Sequence, residues 1–392
     1  MRILFTGGGT GGHIFPIIAV KEAFENADNI KFYYLGPDSF AKENLAGIKT
    51  KFISAGKIRR YFNLEIFFDL IKVFIGIIQS FLYLFLWMPD VIFSKGGYGS
   101  FPVVFVGWIY RIPIILHDSD SAPGLANRIM AKFAKKIILS FKTSEEYFTL
   151  HHLQNKTKTI PKSTKNGAGF AKYKEKIIVI GNPVRKELLE GNKEKARPAL
   201  IQRGREIFNI SSSKPVLLII GGSQGAQRIN ETVVNILPRL LEIAEVIHIS
   251  GENNFKSVEA DVRGFVSESF HLYGFLNADQ LKHAYAIADL IVNRAGAGSI
   301  TEIAAAAKPS IIIPLPNSAS DHQRKNAYEF AKNGAAVVLD QENLSPNLFL
   351  EAISNLLSNP AKLKEMGEKA KSFYNPKTPE LIRDEILKII RG

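Results

Sequence analysis

The sequence predicts an α/β protein of two doubly wound, Rossmann-like domains, each a parallel sheet with helices on its faces. Three observations carry this reading. The chain has 392 residues, more than one hydrophobic core ordinarily holds. A strand followed by a glycine loop opens the chain at 2–13 and a second one opens at 215–226. After each start, strand-like and helix-like segments alternate, as parallel sheets with crossover helices require.

In the first half, Arg2–Thr6 is a short apolar strand, followed by Gly7-Gly8-Gly9-Thr10-Gly11-Gly12-His13. A helix is expected from about Pro16, because proline suits a first helical turn. Further strands are expected at Lys31–Leu35, Val91–Ser94, Pro113–Leu116, Lys136–Leu139 and Ile177–Ile180. In the second half, Pro215–Ile220 is a continuous apolar run of the buried-strand type. Val233, Ile236, Leu237, Leu240 and Leu241 then share one helical face. Val246–Ser250, Asp289–Val292, Ser310–Ile313 and Ala335–Leu339 read as later strands. The expected division is a first domain at 1–185, a linker region at 186–214 and a second domain at 215–375. The remaining 376–392 forms a helix able to pack back on the first domain. Residues 151–174, rich in Lys, Thr, Asn and Gly, read as a mobile surface insertion. Doubly wound sheets bind ligands beyond the carboxyl ends of their strands, so a cleft between the two domains is expected.

Composition narrows the classes. There is no cysteine, which excludes disulfides and thiolate metal sites. Only Ile3-Leu4-Phe5 is apolar before the glycines begin, far short of a secretory h-region, so the chain is expected to stay where it is made. The net charge of +13 attracts anionic lipid, phosphorylated ligands or nucleic acid; solvated lysines explain it equally well. No zinc-finger or RNP pattern accompanies the charge, so nucleic acid is not an expected partner.

Residues 64–88 are apolar on nearly every side and include Phe67, Phe68, Phe74, Ile75, Ile77, Ile78, Phe81, Phe85 and Trp87. Such a helix is core or lipid-facing. Val73–Met88 spans about 24 Å as a helix, short of the roughly 30 Å hydrocarbon core. Three readings stand open: a wholly buried helix, insertion into one leaflet, or a bilayer span. Lys51, Lys57, Arg59 and Arg60 lie just upstream and suit anionic headgroups. Tyr83 and Trp87 suit an interfacial belt.

Four glycine-rich loops carry the chemistry. Gly7–His13 follows a strand and lets backbone N–H groups approach a phosphate or sugar. No Gly-Lys-Ser/Thr follows, so it is not a P-loop. His13 is a candidate general base; a capping or packing histidine is the alternative. The second cluster is Ser94-Lys95-Gly96-Gly97-Tyr98-Gly99-Ser100 and the third Gly221-Gly222-Ser223-Gln224-Gly225-Ala226, in which the Ser223 hydroxyl suits a phosphate oxygen. Each reads alternatively as a tight turn. The fourth, Asn293-Arg294-Ala295-Gly296-Ala297-Gly298-Ser299-Ile300-Thr301-Glu302, turns a strand into a helix whose N-terminus suits a diphosphate. Glu302, expected in the first turn, suits a ribose diol, or simply compensates the helix dipole. Asp321-His322-Gln323 follows, and Gln323 and Asn326 share a helical face suited to sugar hydroxyls.

These loops, in this order and over almost the whole chain, resemble the MurG family of glycosyltransferases. The resemblance rests on Gly-Gly-Thr-Gly-Gly-His at 8–13, Lys-Gly-Gly-Tyr at 95–98 and Gly-Asn-Pro-Val-Arg at 181–185. Gly-Gly-Ser-Gln-Gly-Ala at 221–226, Arg-Ala-Gly-Ala at 294–297 with Glu302, and Asp321-His322-Gln323 with Asn326 complete the set. It implies a GT-B fold and an inverting transfer of GlcNAc from UDP-GlcNAc to the muramoyl 4-hydroxyl of undecaprenyl-pyrophosphoryl-MurNAc-pentapeptide. The expected setting is peripheral, on the cytoplasmic face of the plasma membrane, against an anionic surface.

The resemblance also implies roles. Thr10, Gly11, Gly12, Arg185, Ser223, Gln224, Leu276 beside Phe275, Arg294, Gly298, Ser299, Glu302, Gln323 and Asn326 would contact the donor. Gly9, Gly11, Gly12, Gly96, Gly97 and Tyr98 would face the acceptor diphosphate. Phe67, Phe74, Ile78, Phe81, Phe85 and Trp87 would meet the membrane. The sequence departs from the family at 117–120, where His117-Asp118-Ser119-Asp120 stands in place of His-Glu-Gln-Asn. Asp120 therefore puts a carboxylate near the sugar, as a donor contact and a second candidate for proton removal after His13. No cofactor is required; a divalent cation is optional.

An epimerase acting on a nucleotide sugar is the enzymatic alternative, but it would have no use for the apolar segment. A nicotinamide-dependent oxidoreductase lacks an acidic ribose ligand at the end of 31–35. A non-catalytic membrane-recruitment subunit would not need both sets of polar loop residues.

Overall fold

The computed structural model describes residues 1–25, 29–37, 45–56, 65–154, 174–190, 210, 213–221, 226–265 and 267–391, with backbone alone at 65, 66, 150–154, 189 and 190. Ser223, Gln224, Lys57, Arg59, Arg60, the insertion at 155–173 and most of 186–214 lie outside the described residues. The chain forms two units, Met1–Pro183 with Lys377–Gly392, and Val184–Pro376. Arg185 thus falls in the second unit, two residues beyond the division.

The first unit holds a seven-stranded sheet ordered β3-β2-β1-β4-β5-β6-β7. The strands are β1 (Arg2–Thr6), β2 (Lys31–Gly36), β3 (Lys49–Phe52), β4 (Val91–Ser94), β5 (Ile114–Asp118), β6 (Lys136–Leu139) and β7 (Ile177–Val179). Every neighbouring pair is parallel. Alternate residues serve opposite faces, as the pleat dictates. Leu4, Ile92 and Leu116 pack under Val103 and Val106 of the Phe101–Ile109 helix. Ile3, Phe5, Val91 and Phe93 pack under Ile14 and Ile17 and under Ile382 and Ile386 of the last helix. Burial on both faces explains why the strands read as unbroken apolar runs.

The last helix, Thr378–Arg391, is tied down by polar contacts as well. Thr378 Oγ1 donates to the Ile180 carbonyl at 3.2 Å, and Arg383 Nη1 donates to the Ala23 carbonyl at 3.2 Å. The first helix runs over Gly11–Glu22, so Pro16 lies inside it rather than at its start. The expectation at Pro16 is corrected because the glycine loop is shorter than it reads: helical geometry begins at the second glycine pair. Pro16 merely removes one backbone donor from the second turn.

The second unit holds a six-stranded sheet ordered β10-β9-β8-β11-β12-β13. Its strands are β8 (Val216–Ile220), β9 (Glu245–Ile249), β10 (Phe270–Tyr273), β11 (Leu290–Arg294), β12 (Ser310–Ile313) and β13 (Ala336–Val338), all paired in parallel. Sequence patterning does not announce β3 and β10. Both are edge strands, half-exposed, and lack the continuous apolar run of a central strand.

The apolar segment forms a helix over Glu65–Trp87. Gly76, Ser80, Leu84 and Trp87 are buried, and Val73, Ile77 and Phe81 partly so. This is one stripe at helical spacing. Phe67, Phe68, Phe74, Ile78, Leu82, Phe85 and Leu86 on the other sides are all more than half exposed. The wholly buried reading is thereby corrected. The interfacial reading of Trp87 is corrected too: Trp87 is 7% exposed and its ring lies tilted against that of Tyr33, centroids 4.9 Å apart. Phe81 is half-buried, edge-on to Tyr110 at 5.5 Å. The docked stripe admits close backbone approach. Gln79 Oε1 accepts from the Ser54 N–H at 2.7 Å, and a Cβ on Gly76 would collide with the Ser54 carbonyl.

Two outcomes follow for stability. Gly76→Ala should destabilise the first unit by about 1–3 kcal/mol through overpacking, read as a lower midpoint in chemical denaturation; an unchanged midpoint would refute the docking. His248, on β9, is fully buried, its Nε2 donating to Asn230 Oδ1 at 3.0 Å. Burial lowers its pKa to about 4. The folded state therefore holds it neutral while the unfolded state takes up a proton below about pH 6.5. Stability is lost as pH falls through that window, by about 2 kcal/mol between pH 7 and 5. His248→Gln should shrink the pH 7-to-5 loss in the second unit's unfolding free energy by that amount.

Candidate active site

The order of each sheet reverses beside its first strand, between β1 and β4 and between β8 and β11. Helices depart to opposite faces at such a point and leave the carboxyl edge open. All four glycine loops leave the sheets at these two places. The first follows β1 and the second follows β4; the third follows β8 and the fourth follows β11.

In the first unit the two loops interlock. The Gly8 N–H donates to the Gly96 carbonyl at 3.1 Å, and the Lys95 N–H to the Thr6 carbonyl at 2.8 Å. Gly96 and Gly97 have φ of 81° and 82°, a left-handed pair that only glycine adopts readily. The His13 ring lies between them and Gly8: a Cβ on Gly97 would stand 2.8 Å from His13 Nε2, and one on Gly8 2.9 Å from its Cε1. His13 Nδ1 is 3.0 Å from Thr10 Oγ1, which turns Nε2 toward the second loop. Burial first, and the Lys95 ammonium second, lower the His13 pKa to about 4 against the opposing pull of Asp120. The imidazole is neutral at physiological pH, in the form a proton acceptor needs. Thr10 and Gly12 are exposed beside it, and Gly9, Gly97 and Tyr98 are half-exposed.

Behind this surface His117 and Asp118, both fully buried, end β5. Asn127 Nδ2 donates to Asp118 Oδ2 at 2.7 Å, and Asn127 Oδ1 accepts from the Gly97 N–H at 2.9 Å. Burial and the neighbouring Asp120 raise the Asp118 pKa to about 6. Asp120 is half-buried and close enough to act electrostatically on His13, Lys95 and Asp118. Both sequence candidates for the base therefore bear on one locality. Asn127 and Asp118 join this locality although the sequence reading gave neither a role. The departure at 117–120 was their one visible signal.

In the second unit, β11 ends at Arg294 and the helix Ala297–Ala305 begins after Gly296. No side chain caps that helix and no acidic residue sits in its first turn. A Cβ on Gly298 would meet nothing within 4 Å, so open space adjoins the helix start, with Ser299 half-exposed. Arg294 Nη1 donates to the Ile313 carbonyl at 3.3 Å, and burial lowers its pKa to about 10, leaving it charged.

Glu302 falls in the second helical turn, which corrects its expected place in the first: the helix starts at Ala297, three residues earlier than the apolar pattern suggests. Dipole compensation is thereby weakened as its role. Tyr285 Oη donates to Glu302 Oε2 at 3.3 Å. Burial raises the Glu302 pKa, opposed by Arg185 and by the Tyr285 hydrogen bond. Burial also raises Tyr285 well above the phenol range, reinforced by Glu302. Tyr285 is another residue missed, since in sequence it reads only as helix core.

Two donor expectations need correction. Leu276 is 3% exposed and belongs to the core with Ala284 and Tyr285, so its side chain is not pocket lining; Phe275 beside it is 48% exposed. Asn326 is fully buried and its Nδ2 donates to the Ala295 carbonyl at 3.2 Å, so this amide supports the fourth loop. Gln323 Oε1 accepts from the Leu315 N–H at 3.0 Å, with the residue half-exposed. Ser320 and Asp321 just before it both have positive φ, 58° and 55°, a strained turn of the kind found at ligand clamps. Among the described residues no three His, Asp or Glu side chains are grouped to hold a metal ion.

Comparison with known proteins fits this division. Residues 3–139 match the glycosyltransferase family 28 N-terminal domain and residues 216–380 its C-terminal domain. A UDP-N-acetylglucosamine–N-acetylmuramyl-(pentapeptide) pyrophosphoryl-undecaprenol N-acetylglucosamine transferase of Legionella pneumophila is 36% identical, over 99% of this chain and 96% of its own. The crystal structure of MurG from Acinetobacter baumannii superposes with a TM-score of 0.68 at 22% identity, covering 99% of each chain. A UDP-GlcNAc 2-epimerase from Neisseria meningitidis, bound to UDP-GlcNAc, shares the fold with a TM-score of 0.66 at 14% identity, covering 99% of this chain and 100% of its own. The fold is thus common to transferases and epimerases, and full-length sequence identity decides between them: the chain belongs to the MurG family of N-acetylglucosaminyltransferases, within glycosyltransferase family 28.

Proposed function

We propose that this chain transfers N-acetylglucosamine from UDP-GlcNAc to the muramoyl 4-hydroxyl of an undecaprenyl-pyrophosphoryl-MurNAc-pentapeptide, with inversion and release of UDP. One observation carries the reading: in a chain of this family, each of the two sheets presents a pair of glycine loops at its own order reversal. Two diphosphate-bearing substrates call for two such nests of backbone amides.

The first unit takes the acceptor. Gly9, Gly11, Gly12, Gly96 and Gly97 offer backbone N–H groups to its diphosphate, with Tyr98 alongside. Neutral His13 accepts the proton of the attacking hydroxyl, and the Asp120 carboxylate stabilises the imidazolium that forms. The second unit takes the donor. The uncapped start of Ala297–Ala305, with Gly298, Ser299 and Arg294, meets the UDP diphosphate as charge builds on it. Glu302, aligned by Tyr285 and faced by Arg185, accepts hydrogen bonds from the ribose diol. Gln323 offers its Nε2 group to the sugar, and Phe275 its ring to the base. The reacting carbon passes through an oxocarbenium-like state, as in glycoside hydrolysis.

The helix Glu65–Trp87 lies on the cytoplasmic face of the plasma membrane, inserted into one leaflet. Its exposed apolar face continues onto Trp108, Ile109 and Tyr110. Lys72, Arg111 and Lys132 are exposed in the same segments and suit anionic headgroups.

Labelled UDP-GlcNAc supplied with a lipid-linked muramoyl-pentapeptide acceptor should yield a β-linked disaccharide and UDP; a new UDP-sugar formed without acceptor would point to an epimerase instead. His13→Ala should lower kcat by roughly 10²–10⁴-fold while calorimetric UDP-GlcNAc affinity stays close to that of the parent, and near-normal turnover would remove His13 from the base role. Glu302→Ala should weaken UDP binding by on the order of ten- to a hundredfold; unchanged nucleotide affinity would refute the ribose assignment. Replacing Phe67, Phe74 and Phe85 together by Ser should release the protein from sedimenting anionic vesicles without slowing transfer to a short-chain soluble acceptor. Continued vesicle binding would place the membrane contact elsewhere.

A further inference from the structure

Lys95 lies at the centre of the first unit's charged groups, and the roles above leave it without one. It follows β4 directly, and only 2% of it is exposed. Its Nζ donates to Ser119 Oγ, which in turn donates to Asn182 Oδ1 at 3.0 Å. The titratable groups around it come from three directions: His13 from the helix after β1, a Cβ on Gly7 standing 3.3 Å from His13 Cβ and 3.6 Å from Lys95 Cβ; His117 and Asp118 from the end of β5; and Asp120 from the following loop, with charge effects running between them. A buried ammonium persists only when charge and hydrogen bonds compensate it. Here the run His117-Asp118-Ser119-Asp120 supplies two carboxylates and the hydroxyl from four consecutive residues.

We propose that Lys95 is a positioning residue for the transfer: buried beneath the two glycine loops, with its Nζ on Ser119 and the Asp118 and Asp120 carboxylates nearby, its ammonium helps keep the His13 imidazole unprotonated and available to the acceptor hydroxyl. The proposal rests on the reading of His13 as the proton acceptor. Its sign follows from like charges. An ammonium nearby disfavours imidazolium, whereas Asp120 on the opposite side favours it. Burial lowers Lys95 to about 8, so it is still protonated at neutral pH. Below pH 7 the ammonium is fully present, and that is the range in which His13 would otherwise begin to protonate. Burial is the larger influence against a stable imidazolium, and Lys95 adds to it by offsetting the Asp120 charge until the acceptor proton arrives.

Full-length protein labelled at histidine Cε1 tests this by NMR titration, the His13 resonance being assigned by its loss in His13→Gln. In the parent protein His13 should titrate well below 6.5; titration near 6.5 would overturn the proposal without any variant. In Lys95→Met, or in Lys95→Gln if the former does not fold, the His13 midpoint should rise by on the order of one pH unit. In Lys95→Arg it should stay low. An unmoved midpoint in a cooperatively melting Lys95→Gln protein would overturn the proposal. Transfer assays on the same variants separate it from the reading beneath. The acid limb of kcat should move with the His13 midpoint in Lys95→Gln and return in Lys95→Arg. A limb that stays put while the resonance moves would reject His13 as the base and leave its coupling to Lys95 standing.

Discussion

Parallel pairing on both sides of β1 and of β8 is the constraint on which the rest depends. Strands running one way bring all their carboxyl ends to one edge. A central strand with neighbours reached by opposite crossovers sends its flanking helices to opposite faces. The edge above that strand is then left uncovered. Whatever chain emerges there must turn from strand to helix within a few residues, with its amides pointing outward. Glycine suits that turn on two counts in the first unit. Gly96 and Gly97 take left-handed backbone angles, and the missing Cβ atoms of Gly8 and Gly97 leave the slot that His13 fills.

Each unit answers the burial of charge in its own way. The second sets one cation, Arg185, against Glu302 and adds the Tyr285 hydroxyl as donor. The first sets one cation, Lys95, against Asp118 and Asp120. Carboxylates exceed cations there, and Asp118, fully buried, is lifted to about 6 although Asn127, the Asp120 N–H and the Lys95 charge all relieve it. Such clusters seldom add stability over apolar packing. At the mouth of an interlocked pair of glycine loops these charges also bear on His13, Lys95 adding to the effect of burial and Asp120 opposing it. A network tuned in this way depends on geometry as much as on charge: Asn127 bridges Asp118 to the Gly97 amide, so the loop that faces the ligand and the carboxylate behind it move as one.

How much of this was legible in the sequence follows from what each feature depends on. Central strands were readable because burial on two faces requires unbroken apolar runs, as in Val216–Ile220. The edge strands Lys49–Phe52 and Phe270–Tyr273 were not, because polar residues interrupt their apolar run. The glycine loops are readable by their spacing, yet the helix starts after them read late: the first at Pro16, the second close enough to Glu302 to put it in the first turn. Glycine and alanine lower the apparent apolar period while helical hydrogen bonding has already begun. Polar residues were sorted by type but not by burial. Asn326 reads as a ligand contact in sequence, yet its amide is fully buried and bonds the fourth loop, and nothing in the pattern around Lys95 or Tyr285 foretells that both are buried. Those assignments depend on tertiary neighbours distant in the chain, which periodicity does not encode.

The helix Glu65–Trp87 shows what a one-dimensional pattern leaves undecided and three dimensions resolve. Two of its polar residues, Gln79 and Ser80, turn away from water. Ser80 donates to the Gly76 carbonyl within its own helix, and Gln79 binds the backbone of Ser54. The outward side is left almost wholly apolar, far beyond the scattered exposed residues normal for a protein surface. Yet Leu84 and Trp87 are anchored in the core of the first unit. With one side held against protein, only the other is free to enter lipid. A helix about 10 Å across can then sink by roughly half its width, the depth at which interfacial helices rest. On the one-leaflet insertion proposed above, the span of its apolar residues measures extent along the membrane plane.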